Sequence, residues 1–311
     1  MILLGDLGAT NARFSISDDG ETYDREARYR IKDFDSLEEL CRRYFIDQEI
    51  KNVKKGIIGV AAPIIGDKIS FVNANLKFSK QQTEKNLFPG GLTVLNDLEM
   101  QAYALFNLKP KDMSYLGKKK INDGPKILVS PGTGLGLAGV VGNSVIATEA
   151  GHIDINDVNE IPELKGIINE FISVSSRYPN YQDFLSGKGI TFFYSYLSGL
   201  SNSNLTSEEI LLRRDDKYCL KTKNLMNSLL SSYLRSMALA WGAKGGVFLS
   251  GSIVNSLLEE GDYGLFRKEF ENSATMRNLL FDIPLAVVKI QNIGFEGGME
   301  LSKRLNEPEL S

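Results

Sequence analysis

The sequence predicts two α/β domains around a cleft, and three observations point there. The chain has 311 residues, more than one hydrophobic core of roughly 250–300 residues comfortably holds. Short apolar runs that read as buried strands alternate with helical patterns along the whole length. A strand leading into a glycine–threonine turn occurs twice, as Gly5-Asp6-Leu7-Gly8-Ala9-Thr10 and as Pro131-Gly132-Thr133-Gly134-Leu135-Gly136, each early in its own block and each followed by a predicted hairpin. Two similar halves, each presenting such a turn to a central cleft, are what a nucleotide clamp needs. The expected division is a small domain of 1–107 plus 292–311 and a large domain of 108–291.

The elements follow in order. Ile2 to Leu4 reads as a strand ending at Gly5-Asp6, and Arg13 to Ile16 as its hairpin partner. Asp35-Ser36 before Leu-Glu-Glu-Leu reads as a helix start with acidic residues in the first turn. Gly56 to Ala62, small and apolar and closed by Pro63, reads as a buried strand. Leu92 to Leu95 is a strand and Leu98 to Phe106 a helix, which puts Asn96-Asp97 at their junction. In the second block, Ile127 to Ser130 is a strand. Leu137–Val141 and Ser144–Thr148 flank a Gly142-Asn143 hairpin turn. The longest helix runs from about Lys223 to Gly242, with Gly242 as its C-cap. Thr206-x-x-Glu209 has the form of a capping box. Val247 to Leu249 is a strand leading to Ser250-Gly251-Ser252, Pro284 to Ile290 is the last strand, and a final helix begins at Gly294.

Composition narrows the function. Lys and Arg total 36 against 39 Asp and Glu, a net charge of −3. That balance gives no bias toward nucleic acid or an anionic membrane. The run Lys118-Lys119-Lys120 reads as a solvated loop. No apolar run approaches the ~20 residues of a membrane span, and no signal peptide is visible, so the cytoplasm is the expected compartment. The two cysteines, Cys41 and Cys219, have neither zinc-ligand nor disulfide-framework spacing.

Glycine turns suit phosphates because a backbone without Cβ atoms can bring several N–H groups to the phosphate oxygens. Gly8, Thr10 and Asn11 in the first turn, and Gly132, Thr133 and Gly134 in the second, fit that need. Either is also readable as a plain tight turn. Asp6 is a candidate for holding Mg²⁺ through water, since Mg²⁺ takes few carboxylates and several waters; alternatively it bonds its own turn. Asp97, at a strand-to-helix junction, is a candidate base for a substrate hydroxyl or a helix N-cap. His152, the one histidine in the chain, stands with Glu149 across a small pair in Glu149-Ala150-Gly151-His152, a compact set for adjacent hydroxyls. Gly134-Leu-Gly136-Leu-Ala-Gly139 matches the dinucleotide fingerprint, with Asp154 downstream. That motif has to open a helix, whereas this stretch reads as strand and turn, so a nicotinamide-dependent dehydrogenase is the weaker enzymatic alternative.

Taken together and in order, these segments resemble the bacterial glucokinase family, of the hexokinase and actin-like ATPase (ribonuclease H-like) superfold. The resemblance runs through Gly5-Asp6-Leu-Gly8-Ala-Thr10-Asn11-Ala-Arg13, Ala61-Ala-Pro63-Ile-Ile-Gly66-Asp67 with Val72-Asn73, Leu95-Asn96-Asp97 with Ala102-Tyr103-Ala104-Leu105, and Gly132-Thr133-Gly134-Leu-Gly136. It continues through Glu149-Ala-Gly-His152, Leu185-Ser186-Gly187-Lys-Gly189 with Tyr194, and Gly246-Val247-Phe-Leu-Ser250-Gly251. Singly most are weak; seven in order are specific. The resemblance implies ATP and Mg²⁺, a hexose phosphorylated at its 6-hydroxyl with Asp97 as base, and Asn73, Asn96, Glu149 and His152 around the sugar. It places the two turns at the ATP phosphates and Gly251 near the adenosine, has domain closure exclude water, and suggests a homodimer. The sequence departs from the family at Gln182, where a sugar-binding glutamate is usual, with Asp183 beside it as a replacement carboxylate. Leu76 stands for a tryptophan, Val72 for a threonine, and Ala9 and Ala150 for glycines. Gln182 predicts weakened or broadened choice at the C1–C2 end of the sugar. The rival from another class is a sugar-responsive regulator of the same fold with little turnover. Asp97 argues against it, as does a first strand that opens the chain with no segment ahead of it for binding DNA.

Overall fold

A computed structural model describes residues 1–71, 75–117, 122–200, 204–258 and 263–306. Asn73, with Val72, and the run Lys118–Lys120 lie outside the described residues. The chain divides into two compact units, residues 1–108 with 290–311 and residues 109–289.

The first unit is built on a five-stranded sheet of order β3-β2-β1-β4-β7. Its strands are β1 (Ile2–Leu7), β2 (Asn11–Ser17), β3 (Asp24–Arg30), β4 (Lys55–Val60) and β7 (Leu92–Asn96); β5 (Lys68–Ser70) and β6 (Lys77–Ser79) form a separate two-stranded ribbon. Strands β1 and β4, and β4 and β7, run parallel, and their registers interlock: Leu7 pairs with Val60, and Val60 with Asn96. Helices α1 (Leu37–Asp47), α2 (Lys80–Leu87) and α3 (Asp97–Tyr103) belong to this unit. Ser36 caps α1 by accepting the Glu39 N–H, the role that its position before an acidic first turn predicts. Strand β1 runs three residues past the expected Leu4, to Leu7, because Gly5 and Asp6 find ladder partners on both sides, Phe14 and Arg13 in β2 and Ile58 and Gly59 in β4. Asp6 is therefore a strand residue and not the turn residue its neighbours suggest.

The second unit has a six-stranded sheet of order β11-β10-β9-β12-β13-β8. The strands are β8 (Met113–Tyr115), β9 (Lys126–Pro131), β10 (Leu135–Val141), β11 (Ser144–Thr148), β12 (Gly246–Leu249) and β13 (Leu285–Val288). Helices α4 (Leu164–Ser175), α5 (Tyr181–Phe184), α6 (Gly187–Ser198), α7 (Ser207–Leu212), α8 (Lys217–Trp241), α9 (Ser252–Leu257), α10 (Tyr263–Phe270) and α11 (Arg277–Asp282) belong to the same unit. The buried stripe of α8, including Leu229, Leu230, Tyr233 and Leu234, packs into one core with Ile127 and Val129 of β9 and Val247 and Leu249 of β12. Helix α8 starts six residues earlier than expected, where Asp216 caps it by accepting the Tyr218 and Cys219 N–H groups at 2.7 and 3.2 Å. It ends at Gly242 in the left-handed conformation, as the C-cap reading requires. The last helix, α12 (Ile293–Asn306), returns to the first unit, where Phe295, Met299 and Leu301 pack with Leu4, Ile57 and Met100.

The predicted capping box on α7 is present, with Thr206 and Glu209 satisfying each other's N–H groups. The stretch Gly134–Gly139 enters strand β10 and continues into the β10–β11 hairpin, opening no helix. This corrects the dinucleotide reading: a fingerprint whose last glycine lies in mid-strand has no helix N-terminus to offer a pyrophosphate.

Candidate active site

In the first unit the interlocked register brings the candidates to one sheet edge. Leu7, Val60 and Asn96 form a row across three parallel strands, so the Gly8–Thr10 turn, the segment beginning at Ala61 and Asp97 all leave the sheet at its carboxyl end. This is where ligands of open parallel sheets bind. At about 4.8 Å per strand, the first turn and Asp97 emerge about 10 Å apart. The turn is tight: the Gly8 N–H donates to the Asn11 carbonyl at 3.0 Å, and the Thr10 carbonyl accepts the Ile31 N–H at 3.0 Å. Thr10 is exposed, while Asn11 opens β2.

Asp97 is the first residue of α3, and Asn96 is the N-cap: Asn96 Oδ1 accepts the Leu98 and Glu99 N–H groups at 2.9 and 3.2 Å. The capping role considered for Asp97 thus belongs chiefly to Asn96, although Asp97 Oδ1 also accepts the Leu98 N–H at 2.8 Å. A carboxylate in the first turn of a helix lies beside the exposed N–H groups there, a favourable place for a negative side chain.

Asp6 is buried and ion-paired with Arg13. Burial raises its pKa above the usual carboxylate range, and Arg13 opposes that rise. Arg13 also donates to Asn292 Oδ1 at 3.3 Å, and Asn292 donates to both Glu26 carboxylate oxygens at 2.8 and 2.9 Å. A polar chain thus runs from the first strand to the start of α12. Among the described residues no group of three or more His, Cys, Asp or Glu gathers that could hold a metal. Both cysteines are buried and free, and no described helix is long and apolar enough to cross a membrane.

In the second unit the candidates converge on Leu135. Strand β9 ends at Pro131, and the Gly132-Thr133-Gly134 turn follows, closed by a Gly132 N–H bond to the Gly134 carbonyl at 2.8 Å; Thr133 is exposed. Strand β12 pairs with β9 in parallel, Leu249 opposite Val129, so Ser250-Gly251 leaves the sheet beside that turn. Gly251 has φ of 100°, and a Cβ there would lie 2.9 Å from the Pro131 carbonyl oxygen. Backbone geometry and the close neighbour therefore both demand glycine. The Gly187 N–H at the start of α6 donates to the Gly132 carbonyl at 2.9 Å, which ties the Leu185–Gly189 signature to the turn.

His152 ends a short 3-10 turn, Ala150–His152, just past β11, and Glu149 is the residue immediately before it. Both side chains are exposed, and His152 Nε2 lies 3.7 Å from Glu149 Oε2. His152 Nδ1 lies 3.4 Å from Asn180 Nδ2. Gln182, on α5, is turned toward the residue that follows the Gly132–Gly134 turn: its Oε1 accepts the Leu135 N–H at 3.1 Å. That bond commits the carbonyl end of Gln182 to the backbone and leaves its amide N–H groups as what it can offer a hydroxyl. Asp183, the alternative carboxylate, is held bidentately by Arg177 at 2.7 and 2.6 Å and accepts the Asn180 N–H at 2.9 Å. It is the N3 member of a capping box, so the one-residue slip that would place it in the glutamate's role is corrected. Asn180 is the residue the sequence reading missed. Its signal was present as Asn180-x-x-Asp183, a capping-box spacing of the kind noticed at Thr206.

A family model described as Glucokinase matches residues 3–304. The glucokinase of Neisseria meningitidis is 30% identical over 306 residues, covering 95% of this chain and 92% of that protein. The solved structure of glucokinase from Balamuthia mandrillaris in complex with glucose aligns with a TM-score of 0.80 at 18% identity, over 97% of this chain and 93% of that one. A ROK family glucokinase from Streptomyces griseus in complex with glucose and AMPPNP aligns with a TM-score of 0.68 at 14% identity, over 97% and 99% of the two chains. The fold is thus that of the actin-like ATPases, and the chain belongs to the glucokinase family.

Proposed function

We propose that this protein transfers the γ-phosphoryl group of ATP to the 6-hydroxyl of a hexose, glucose first among the candidates, with Asp97 as general base. The observation that carries the reading is the sheet-edge row Leu7–Val60–Asn96, which sends a glycine–threonine turn and a carboxylate at the start of its own helix from the same edge. The family relationship and the glucose and ATP-analogue complexes of its structural neighbours support the substrate pair.

The roles divide by unit. In the first, Gly8, Thr10 and Asn11 meet ATP phosphates, Asn96 holds a sugar hydroxyl, and Asp97 accepts the proton of the attacking hydroxyl as the phosphoryl group moves. In the second, Gly132, Thr133 and Gly134 meet phosphates, Gly251 lies toward the nucleoside, and Glu149 and His152 hold sugar hydroxyls. Such transfers depend mainly on positioning and on neutralising charge at the moving group. Mg²⁺ would enter with ATP, ligated chiefly by phosphate oxygens and water, and would neutralise charge on those oxygens. Asp6, engaged by Arg13, fits it through water and not as a direct ligand.

Gln182 serves the second turn in this scheme. Gln182→Leu removes the acceptor of the Leu135 N–H, and an unsatisfied backbone donor costs about 1–3 kcal/mol. The expected result is a KM for ATP raised about 5- to 100-fold, with the KM for sugar moved much less. Gln182→Glu keeps an acceptor in place and should leave the ATP KM near that of the wild type. A Gln182→Leu enzyme with an unaltered ATP KM would show that the bond is idle.

The reading itself is tested by coupled ATP-consumption assays across a sugar panel. Consumption should require a hexose, and 6-deoxyglucose should bind without turnover. If no sugar stimulates ATP use while sugars still bind, the protein is a sugar-responsive binder and the kinase reading fails.

A further inference from the structure

The one histidine of the chain sits in a hydrogen-bond relay whose direction can be read from its neighbours. Asn180 is the N-cap of α5, and its Oδ1 accepts the Asp183 backbone N–H at 3.1 Å. That bond fixes the orientation of the Asn180 amide, since only the oxygen can accept. The amide nitrogen, a donor only, is therefore the atom that faces His152 Nδ1 at 3.4 Å. An acceptor Nδ1 carries no proton, so in the neutral ring the proton lies on Nε2, on the side of the acceptor-only Glu149 carboxylate 3.7 Å away.

The relay is built into the backbone. Asp154 and Asn180 form an isolated antiparallel bridge, the Tyr181 N–H donates to the Ile153 carbonyl at 3.0 Å, and the Ile155 N–H to the Pro179 carbonyl at 3.3 Å. Further along, the Tyr181 hydroxyl donates to the buried Asp157 at 2.6 Å. The segment that follows His152 is thus stitched to the segment carrying Asn180 on both sides of Asn180.

We propose that Asn180 is a positioning residue that sets the tautomer of His152, so that the ring presents Nε2–H as a donor and Glu149 serves as the adjoining acceptor. Resting on the sugar-binding reading above, this assigns polarity to recognition. One sugar hydroxyl bridges the pair, accepting from His152 and donating to Glu149, as a hydroxyl can do at once. A ligand group that only accepts or only donates satisfies one of the two.

The test exploits the single histidine. In untagged protein labelled with ¹⁵N-histidine, long-range proton–nitrogen correlation at about pH 8, above the ordinary imidazole range, reports the tautomer of His152 with no assignment problem. Wild type should show a bare Nδ1 and a protonated Nε2. Asn180→Asp retains an equally good cap but turns an acceptor-only carboxylate toward the ring, and should draw the proton to Nδ1. Its KM for the hexose should rise about 5- to 10-fold while kcat stays within about twofold, the signature of lost uniform binding. Asn180→Ser also caps α5 but is too short to reach the ring. It should lose the fixed tautomer, which keeps the test open if the Asp variant does not fold. A wild-type ring protonated at Nδ1, or an Nε2–H pattern that survives Asn180→Asp, overturns the proposal whatever the kinetics. A reversed tautomer with an unchanged hexose KM overturns the recognition role and strikes the sugar assignment of His152. Failure of the kinase reading is seen separately, as wild-type protein with no hexose-dependent ATP use.

Discussion

Asp97→Asn is expected to lower kcat by about 10²–10⁴-fold while leaving the fold and the substrate affinities nearly intact. Loss of a general base costs about this much, equivalent to about 3–6 kcal/mol of barrier at about 1.4 kcal/mol per tenfold. The substitution separates chemistry from structure. Asparagine keeps a side-chain oxygen for the Leu98 N–H that Asp97 Oδ1 now accepts, and Asn96 continues to cap α3 through Leu98 and Glu99. What disappears is the negative charge and the capacity to take a proton. The charge itself, in the first helical turn, contributes about 0.3–1 kcal/mol of stability, so Tm should fall by only a few degrees. Asn96→Ala provides the contrast: removing the N-cap costs about 1 kcal/mol and should show in Tm. Steady-state kinetics with calorimetry on the two variants decide the matter. If Asp97→Asn turns over at near the wild-type rate, Asp97 is a capping residue and some other group takes the hydroxyl proton.

The two variants also mark how far the sequence could be read. Position was legible. A strand followed by a helix put Asn96-Asp97 at a junction, and the junction is there between β7 and α3. Which of the two residues caps the helix was not legible, because both are good caps and the choice depends on backbone angles set by the sheet. Gly5-Asp6 was read as a turn on the strength of its residue types. It is strand because β1 is flanked on both sides, and ladder partners on β2 and β4 outweigh local preference. The literal Gly-x-Gly-x-x-Gly match was set aside from its surroundings, since its following apolar run reads as strand, and that run is β10.

Contacts between distant segments left no trace in the sequence. Gln182 and Leu135 are 47 positions apart, and Asn180 and His152 are 28 apart. Gln182 was read for its chemistry, as a neutral stand-in for a sugar-binding carboxylate. Its amide oxygen instead meets the backbone beyond the Gly132–Gly134 turn, which only the placement of α5 beside the start of β10 could reveal. Residue type located the candidate groups, and tertiary packing decided what their hydrogen-bonding atoms face.

Gly151→Ala is expected to damage both stability and sugar affinity, whereas Ala150→Gly, one residue earlier, should lower stability only modestly and leave sugar affinity alone. The two positions look interchangeable in Glu149-Ala150-Gly151-His152, yet their surroundings differ. Ala150 is buried and already carries a Cβ within the core that includes Leu135 and Leu137. At Gly151 a Cβ would fall well inside van der Waals contact of the Leu135 carbonyl oxygen, with further atoms of Leu135 about it. That oxygen belongs to backbone at the first residue of β10, so it cannot swing aside as the end of a flexible side chain would. Relief requires the Ala150–His152 turn to lift or the start of β10 to shift, and overpacking of this kind costs about 1–3 kcal/mol. Either movement disturbs the proposed site. Lifting the turn carries Glu149 and His152 with it; shifting β10 strains the bond from Leu135 to Gln182 and the adjoining Gly132–Gly134 turn. The expected result is a Tm lowered by several degrees, with the hexose KM raised about tenfold or more and the ATP KM raised less if the turn yields before the strand. Ala150→Gly should cost about 1 kcal/mol through backbone entropy and leave both KM values near wild type. The measurement is a pair of melting curves with two-substrate kinetics for each variant. A Gly151→Ala protein with wild-type Tm and hexose KM would show that the turn accommodates a methyl group without moving, and that its contact with β10 does not hold Glu149 and His152 in place.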